Sequence, residues 1–195
     1  MKPTDNEIIQ RIVEGDQRAY AELVDRHKDK AMTLAVRMLK NRNEAEEALQ
    51  DAFIRAFRAL PSFEKKSSFS TWFYRIVFNV CSSVLHKRGN NNLLSIDSGQ
   101  DDEMKIEISS SDDEPDIEFE NKEFSEIIRS EISNMDESYS SILTMFFLQE
   151  MSYEEIIAVT GLPLGTVKNR LFRARMQLRT AVLKQFSELK HMVNV

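Results

Sequence analysis

The residues able to recognise charge crowd the C-terminal third of the chain. Beyond the first turn of an amphipathic run, Lys168, Arg170, Arg173, Arg175, Arg179, Lys184 and Lys190 stand against a single acid, Glu188. Val167, Leu171, Ala174 and Leu178 recur at i, i+4, i+7 and i+11, which at 3.6 residues per turn makes one buried stripe. Asn169, Phe172 and Arg173 then point the other way. Cations at this density attract phosphates, and amide and guanidinium groups bond base edges, so the chemistry on offer is noncovalent recognition of nucleic acid. An amphipathic helix with a solvated basic face is the bland alternative. A second set lies upstream, where Phe63, Phe69, Trp72, Phe73, Tyr74 and Phe78 interleave with Lys65, Lys66, Arg75, Lys87 and Arg88. Aromatic faces stack on unpaired bases while cations follow the backbone, which suits an opened strand. Trp72, Ile76 and Val80 share a helical face, so several of these rings belong to a core.

Covalent chemistry finds no support. The sequence holds no phosphate-cradling glycine loop and no nucleophile with an evident base, so no enzyme is expected. Cys81 is the single cysteine, which excludes an intrachain disulfide and a cysteine-cluster metal site and fits a reducing compartment. His27, His86 and His191 lack partners at metal-ligand spacing, so neither a metal nor a cofactor is expected.

These residues need elements to hold them. With only 5 Gly and 4 Pro, an abundance of helix formers and no alternating β-branched run, the folded parts read as all-α. Asp5 is placed to cap a short helix ending near Gly15, and Asp16 a long one with Ala19, Leu23, Ala31, Leu34, Ala35, Met38 and Leu39 as its apolar stripe. A third helix is expected from about Asn43 to Leu60, stopped by Pro61, and a fourth from about Ser68 to Lys87, stopped by Gly89. Near the C-terminus, Ser152 to Val159 and the basic run are separated by a break in which Gly161 takes the left-handed conformation and Pro163 opens the second helix. That is the outline of a helix-turn-helix.

Charge divides the chain of 195 residues into three. Segments 1–88, 89–121 and 122–195 carry +4, −10 and 0, against a total of −6. The acidic balance of the whole therefore hides a basic N-terminal unit. Residues 89–121 collapse into Asn, Ser, Asp and Glu and cannot bury enough apolar area to offset chain entropy, so they read as a flexible acidic linker. Two small helical domains, 1–88 and 122–195, are expected on either side. No segment approaches the roughly 18 apolar residues of a membrane span and no leader precedes the first helix, which points to a cytoplasmic protein without membrane insertion.

Four separated stretches carry a resemblance. Glu14-Gly-Asp-Gln-Arg-Ala-Tyr-Ala-Glu-Leu23, Ala45-Glu-Glu-Ala-Leu-Gln-Asp-Ala-Phe-Ile-Arg-Ala-Phe57, Phe69-Ser-Thr-Trp-Phe-Tyr-Arg-Ile-Val-Phe-Asn79 and Ser152 to Leu178 resemble, in order, the parts of the extracytoplasmic-function group of bacterial sigma factors. The resemblance implies core RNA polymerase, promoter DNA and an anti-sigma factor as partners. It places polymerase binding on Glu47, Leu49, Gln50, Asp51 and Phe53. It places the start-proximal box and its melting on Lys65, Lys66, Ser67, Trp72, Arg75, Asn79, Ser83 and Lys87, with residues 62–68 as a pocket for a flipped base. Ser83 stands where many members carry an acid. The distant box falls to Gly165, Thr166, Lys168, Asn169, Phe172 and Arg173. Ile157 departs from the family's small Ala and Ser140 from a common Arg. By the same resemblance Asp101, Asp102, Glu103, Asp112, Asp113 and Glu114 imitate RNA phosphates in the polymerase, the alternative being a solvated tether. A polymerase-independent helix-turn-helix regulator with an N-terminal sensing unit is the competing function.

Overall fold

The computed structural model describes residues 3–89 and 122–193, with side chains described over 3–89 and 125–185. The proposed acidic linker lies outside the described residues. Every regular element described is helical: α1 Asp5–Val13, α2 Arg18–Leu39, α3 Arg42–Ala59, a short 3-10 turn Leu60–Ser62, α4 Phe69–Lys87, α5 Lys122–Asn134, α6 Glu137–Leu143, a π turn Thr144–Leu148, α7 Tyr153–Thr160 and α8 Leu164–Val193.

Short polar side chains set the helix starts by supplying acceptors to orphan backbone N–H groups. Asn41 accepts from Glu44 N, Ser68 from Thr71 N and Asp136 from Ser138 N. Thr4 and Ser152 form reciprocal capping boxes with Glu7 and Glu155. Thr4 thus takes the role expected of Asp5, whose carboxylate instead meets Arg26 at 2.7 Å and His27 at 2.9 Å on α2. Asp16 does serve the start of α2, accepting from Arg18 N at 3.0 Å. Pro61 falls in the 3-10 turn that ends α3, and Gly161 ends α7 at φ +72°.

The N-terminal core is the stripe expected of α2 packed on α1, α3 and α4. Ile8 and Ile12 of α1, Leu23, Leu34 and Met38 of α2, Ala45, Ala52 and Ala56 of α3, and Phe73, Val77 and Phe78 of α4 are all buried. The alanines of α3 let neighbouring helices approach closely, and the rings of α4 fill the space between them. Phe53 stacks on Phe73 with ring centroids 4.6 Å apart, and Phe69 on Phe73 at 5.8 Å. In the C-terminal unit Ile132, Ile142, Leu143, Ile156, Val159, Val167, Leu171 and Ala174 are buried. Leu178, expected on the same stripe, is only half-buried against the core.

The two units are in contact. α7 packs on α4, and α6 with the π turn packs on α2, so buried side chains of both halves form one continuous cluster. Among the described residues no helix is long and apolar enough to cross a membrane.

Candidate nucleic-acid interface

Three surfaces hold the residues singled out in the sequence. On α4, Arg75, Asn79, Ser83 and Lys87 are exposed, spaced so that they follow one side of the helix, with half-buried Trp72 at its start. The opposite sides carry buried Phe73, Val77 and Val80, which explains why aromatic content did not translate into a wholly exposed platform. Ser83 Oγ donates to Asn79 O at 2.8 Å, so its hydroxyl is engaged with its own helix.

Before α4 comes the loop from Phe63 to Ser68. Trp72 forms its floor, with centroids 5.0 Å from Phe63 and 5.6 Å from Phe69. Lys65 takes φ +55°, a backbone conformation that costs a residue bearing a Cβ and persists only where the surroundings impose it. Lys65, Lys66 and Ser67 are exposed, and Lys66 Nζ pairs with Glu64 at 2.5 Å on the surface. An exposed pair of this kind is easily exchanged for another anion. Ser68 Oγ lies 2.9 Å from Ser70 Oγ and 2.8 Å from Thr71 Oγ1, a hydroxyl cluster at the start of α4.

On α3 the outward face is Glu47, Gln50 and Ile54, with half-buried Glu46 and Asp51 beside it. Arg42 pairs with Glu46 at 3.0 Å and Arg55 with Asp51 at 2.8 Å, both at i, i+4. Leu49 and Phe53, expected on the same docking seam, are 5 % and 8 % exposed and belong to the core. Their apolar seam meets α2 and α4. Ile54, 50 % exposed, was not singled out; its signal was an apolar residue one turn after Gln50 on an otherwise polar shoulder.

The third surface is the start of α8. Pro163 O accepts from Val167 N at 3.0 Å, so proline stands at the helix entrance as expected. Gly165, Lys168, Asn169 and Phe172 are exposed, Thr166 and Arg173 half-buried. Lys168 Nζ lies 5.9 Å from the Tyr153 ring, and Arg175 spans Phe146 and Phe147 at 4.9 and 5.3 Å. Two arginines therefore leave the basic face expected of them. Arg175 is spread over rings of the π turn, and Arg170, at the margin of the stripe beside Val167 and Ala174, is 5 % exposed. Met176, 48 % exposed one turn after Phe172, extends an apolar edge along the presented face that the sequence reading missed. Ile157 is half-buried, and Ser140, standing where an Arg was noted as common, is fully buried.

The family model for sigma-70 region 2 matches residues 23–90, and that for sigma-70 region 4 matches residues 125–178. The sigma factor SigW of Bacillus subtilis is 34 % identical over 173 residues, 88 % of this chain and 92 % of that protein. The sigma-E factor of Haemophilus influenzae is 32 % identical over 92 % of this chain and 95 % of its own, and that of Escherichia coli K12 is 33 % identical over 88 % and 91 %. Among solved structures, CnrH in complex with the cytosolic domain of CnrY aligns with a TM-score of 0.60 at 23 % identity, over 93 % of this chain and 97 % of the other. The sigma factor RpoE of Bartonella quintana in complex with the anti-sigma factor NepR aligns with 0.59 at 20 %, over 85 % and 96 %. These two likenesses are of fold.

Proposed function

This chain belongs to the extracytoplasmic-function sigma factors of RNA polymerase, and from that membership we propose how its surfaces divide the work. The protein directs RNA polymerase to promoters as a DNA-binding initiation factor. Residues 1–88 form the unit that binds core polymerase and the start-proximal box, and residues 122–195 the unit that reads the distant box. Glu47, Gln50 and Asp51 meet the polymerase, with Leu49 and Phe53 holding the helix beneath them in place. Asn79 reads the start-proximal box, Arg75 and Lys87 hold phosphates, and Lys65, Lys66, Ser67 and Trp72 frame a site for an unstacked base. Ser83, small and bonded to its own backbone, lets the backbone of the strand pass close to α4. Thr166, Lys168, Asn169, Phe172 and Arg173, behind Gly165, enter the major groove. The work is binding and strand separation, with no bond made or broken by the chain itself. The cytoplasm, where polymerase and promoters lie, is its place of action. An anti-sigma factor is its regulator, a partner supported by the RpoE complex with NepR.

One observation carries this division: the unpacked side of α4 holds Arg75, Asn79 and Ser83 in a row beside a loop with a left-handed Lys65. The test is run-off transcription with bacterial core polymerase and a pool of promoter fragments. Discrete start sites that vanish without the chain are expected. The double variant Gln50→Ala, Asp51→Ala is expected to weaken polymerase binding by about tenfold, ~1.4 kcal/mol, with native circular dichroism. Duplex DNA retained by the chain alone, with no polymerase bound, would establish the independent regulator instead.

A further inference from the structure

The end of α2 gathers more positive charge than the fold uses. Lys40, left-handed at φ +53° just past the helix, donates to the carbonyls of Ser133 and Met135 at 2.5 and 2.7 Å, where a cation suits the C-terminal end of α5. Arg88, just past α4, donates to Leu39 O at 3.2 Å and pairs with Glu44. Both cations have evident work, since they satisfy carbonyls that a helix end leaves without partners.

Arg37 and Arg129 have no such work. Arg37 stands three residues before Lys40 on α2, and Arg129 four before Ser133 on α5, so each lies one turn back from the contact that joins the two helices. Arg37 is half-buried, and its Nε is out of reach of water with no hydrogen-bond partner. Among the described residues neither guanidinium pairs with a carboxylate. Burial holds Arg37 below its ordinary pKa, and the charge of Arg129 pushes it the same way. The nearby acids are directed elsewhere. Asp136 accepts from the backbone N–H and the hydroxyl of Ser138 at the start of α6, and Glu137 and Asp136 act on Lys40.

A cation taken out of water costs free energy unless an acceptor meets it, and a second cation facing it adds to the cost. A buried donor left in that state calls for a ligand. Two guanidinium forks approaching from separate helices match the oxygens of a phosphate, which can take a bidentate pair from each. The Lys40 ammonium beside them adds charge without direction. Nε lies at the base of its fork, so a group that satisfies it must reach inward between α2 and α5. A terminal phosphate is small enough to do so, whereas a duplex backbone meets exposed faces.

We infer that Arg37 and Arg129, with Lys40 beside them, form a binding site for a small phosphate-bearing anion, held between α2 of the N-terminal unit and α5 of the C-terminal unit. The ligand class is a phosphate group, free or at the end of a nucleotide. Its two walls come from different units, so a bound anion ties them together. The site is independent of the surfaces assigned above to polymerase and promoter.

The test is titration calorimetry of the full chain with sodium phosphate, sodium pyrophosphate or ATP, each in sodium chloride at one fixed ionic strength. Saturable one-to-one binding is expected. Binding of phosphate or pyrophosphate as well as ATP would show that the phosphate group alone is recognised, and binding of ATP only would assign part of the site to the nucleoside. Arg37→Met, which keeps the apolar stem, and Arg129→Gln should each weaken binding by about tenfold. Melting separates a ligand-binding arginine from a structural one. Without ligand, Arg37→Met should melt no lower than the unsubstituted chain, because it removes a charge that has no partner; a lower midpoint would make Arg37 a structural residue and overturn the site. Binding left unchanged by both substitutions overturns it too, as does the absence of saturable binding by all three probes. If none of the three binds and the double variant retains promoter DNA less well, the arginines serve a nucleic-acid backbone and the small-ligand site is overturned.

Discussion

His27 illustrates what one side chain can carry. It occupies the apolar stripe of α2, with its ring 5.1 Å from Phe69 and 6.3 Å from Phe73, and its Nε2 lies 2.9 Å from Asp5. Burial lowers its pKa below the ordinary 6.5; Asp5 opposes the shift, and Arg26 and Lys30 add to it. The unfolded chain thus binds the proton more readily than the folded one. The contribution of neutral His27 is complete above the unfolded value and is lost as pH falls through the lower folded value. The melting midpoint should therefore drop between pH 7 and pH 5, and His27→Gln, which retains a donor for Asp5, should flatten that slope. An equal slope in the variant would assign the loss to other groups. At this scale the site was partly legible. Asn79, Lys168 and Asn169 stand exposed as their positions against the apolar stripes required, whereas Arg170 is buried. A long side chain at the margin of a stripe falls in or out according to which neighbour covers it, and periodicity does not name the neighbour.

At the scale of elements, the helix-turn-helix depends on one backbone conformation. Gly161 sits at φ +72°, its N–H donating to Ile157 O at 2.8 Å, and a Cβ added there would meet nothing within 4 Å. The cost of Gly161→Ala is therefore conformational alone, about 1–2 kcal/mol, and should lower the melting midpoint by a few degrees. A loss much larger than that would mean the turn packs more tightly than its open surroundings indicate. Distant-box binding should persist once the variant is folded, since α8 itself is untouched. Most starts and stops were legible because they act within a few residues: Ser68 and Ser152 sit where a start was expected and Pro61 and Gly161 where a stop was, whereas the cap at Asn41 came only with the structure. Thr4 displaced Asp5 as the first cap because Asp5 found stronger partners in Arg26 and His27, twenty-one and twenty-two residues away. The π turn at Thr144–Leu148 had no sequence signal; it sits where Phe146 and Phe147 meet Arg175 of α8.

For the whole molecule, a core shared between the units predicts shared unfolding. Trp72, the only tryptophan, lies in the N-terminal unit, so its fluorescence reports that half alone while far-ultraviolet dichroism reports both. The two heat-denaturation curves should coincide in the free chain and separate in the Lys40→Gly, Thr71→Val variant, which removes the hydrogen bonds of Lys40 Nζ to Ser133 O and Met135 O and of Thr71 Oγ1 to Glu155 between the halves. Separate curves in the unsubstituted chain would mean that the halves are independent. The sequence by itself determined the helical class, the bounds of α1, α3, α4 and α7 to within a residue or two, and the resemblance that led to the family. These follow from periodicity, capping and residue order, which are local. Only the tertiary structure decided that Leu49 and Phe53 face inward, that Arg170 is covered, and that α7 lies against α4. The physical reason is that apolar burial has magnitude without direction. A stripe states that a helix face must be covered, and only the packing of all the faces together settles what covers it.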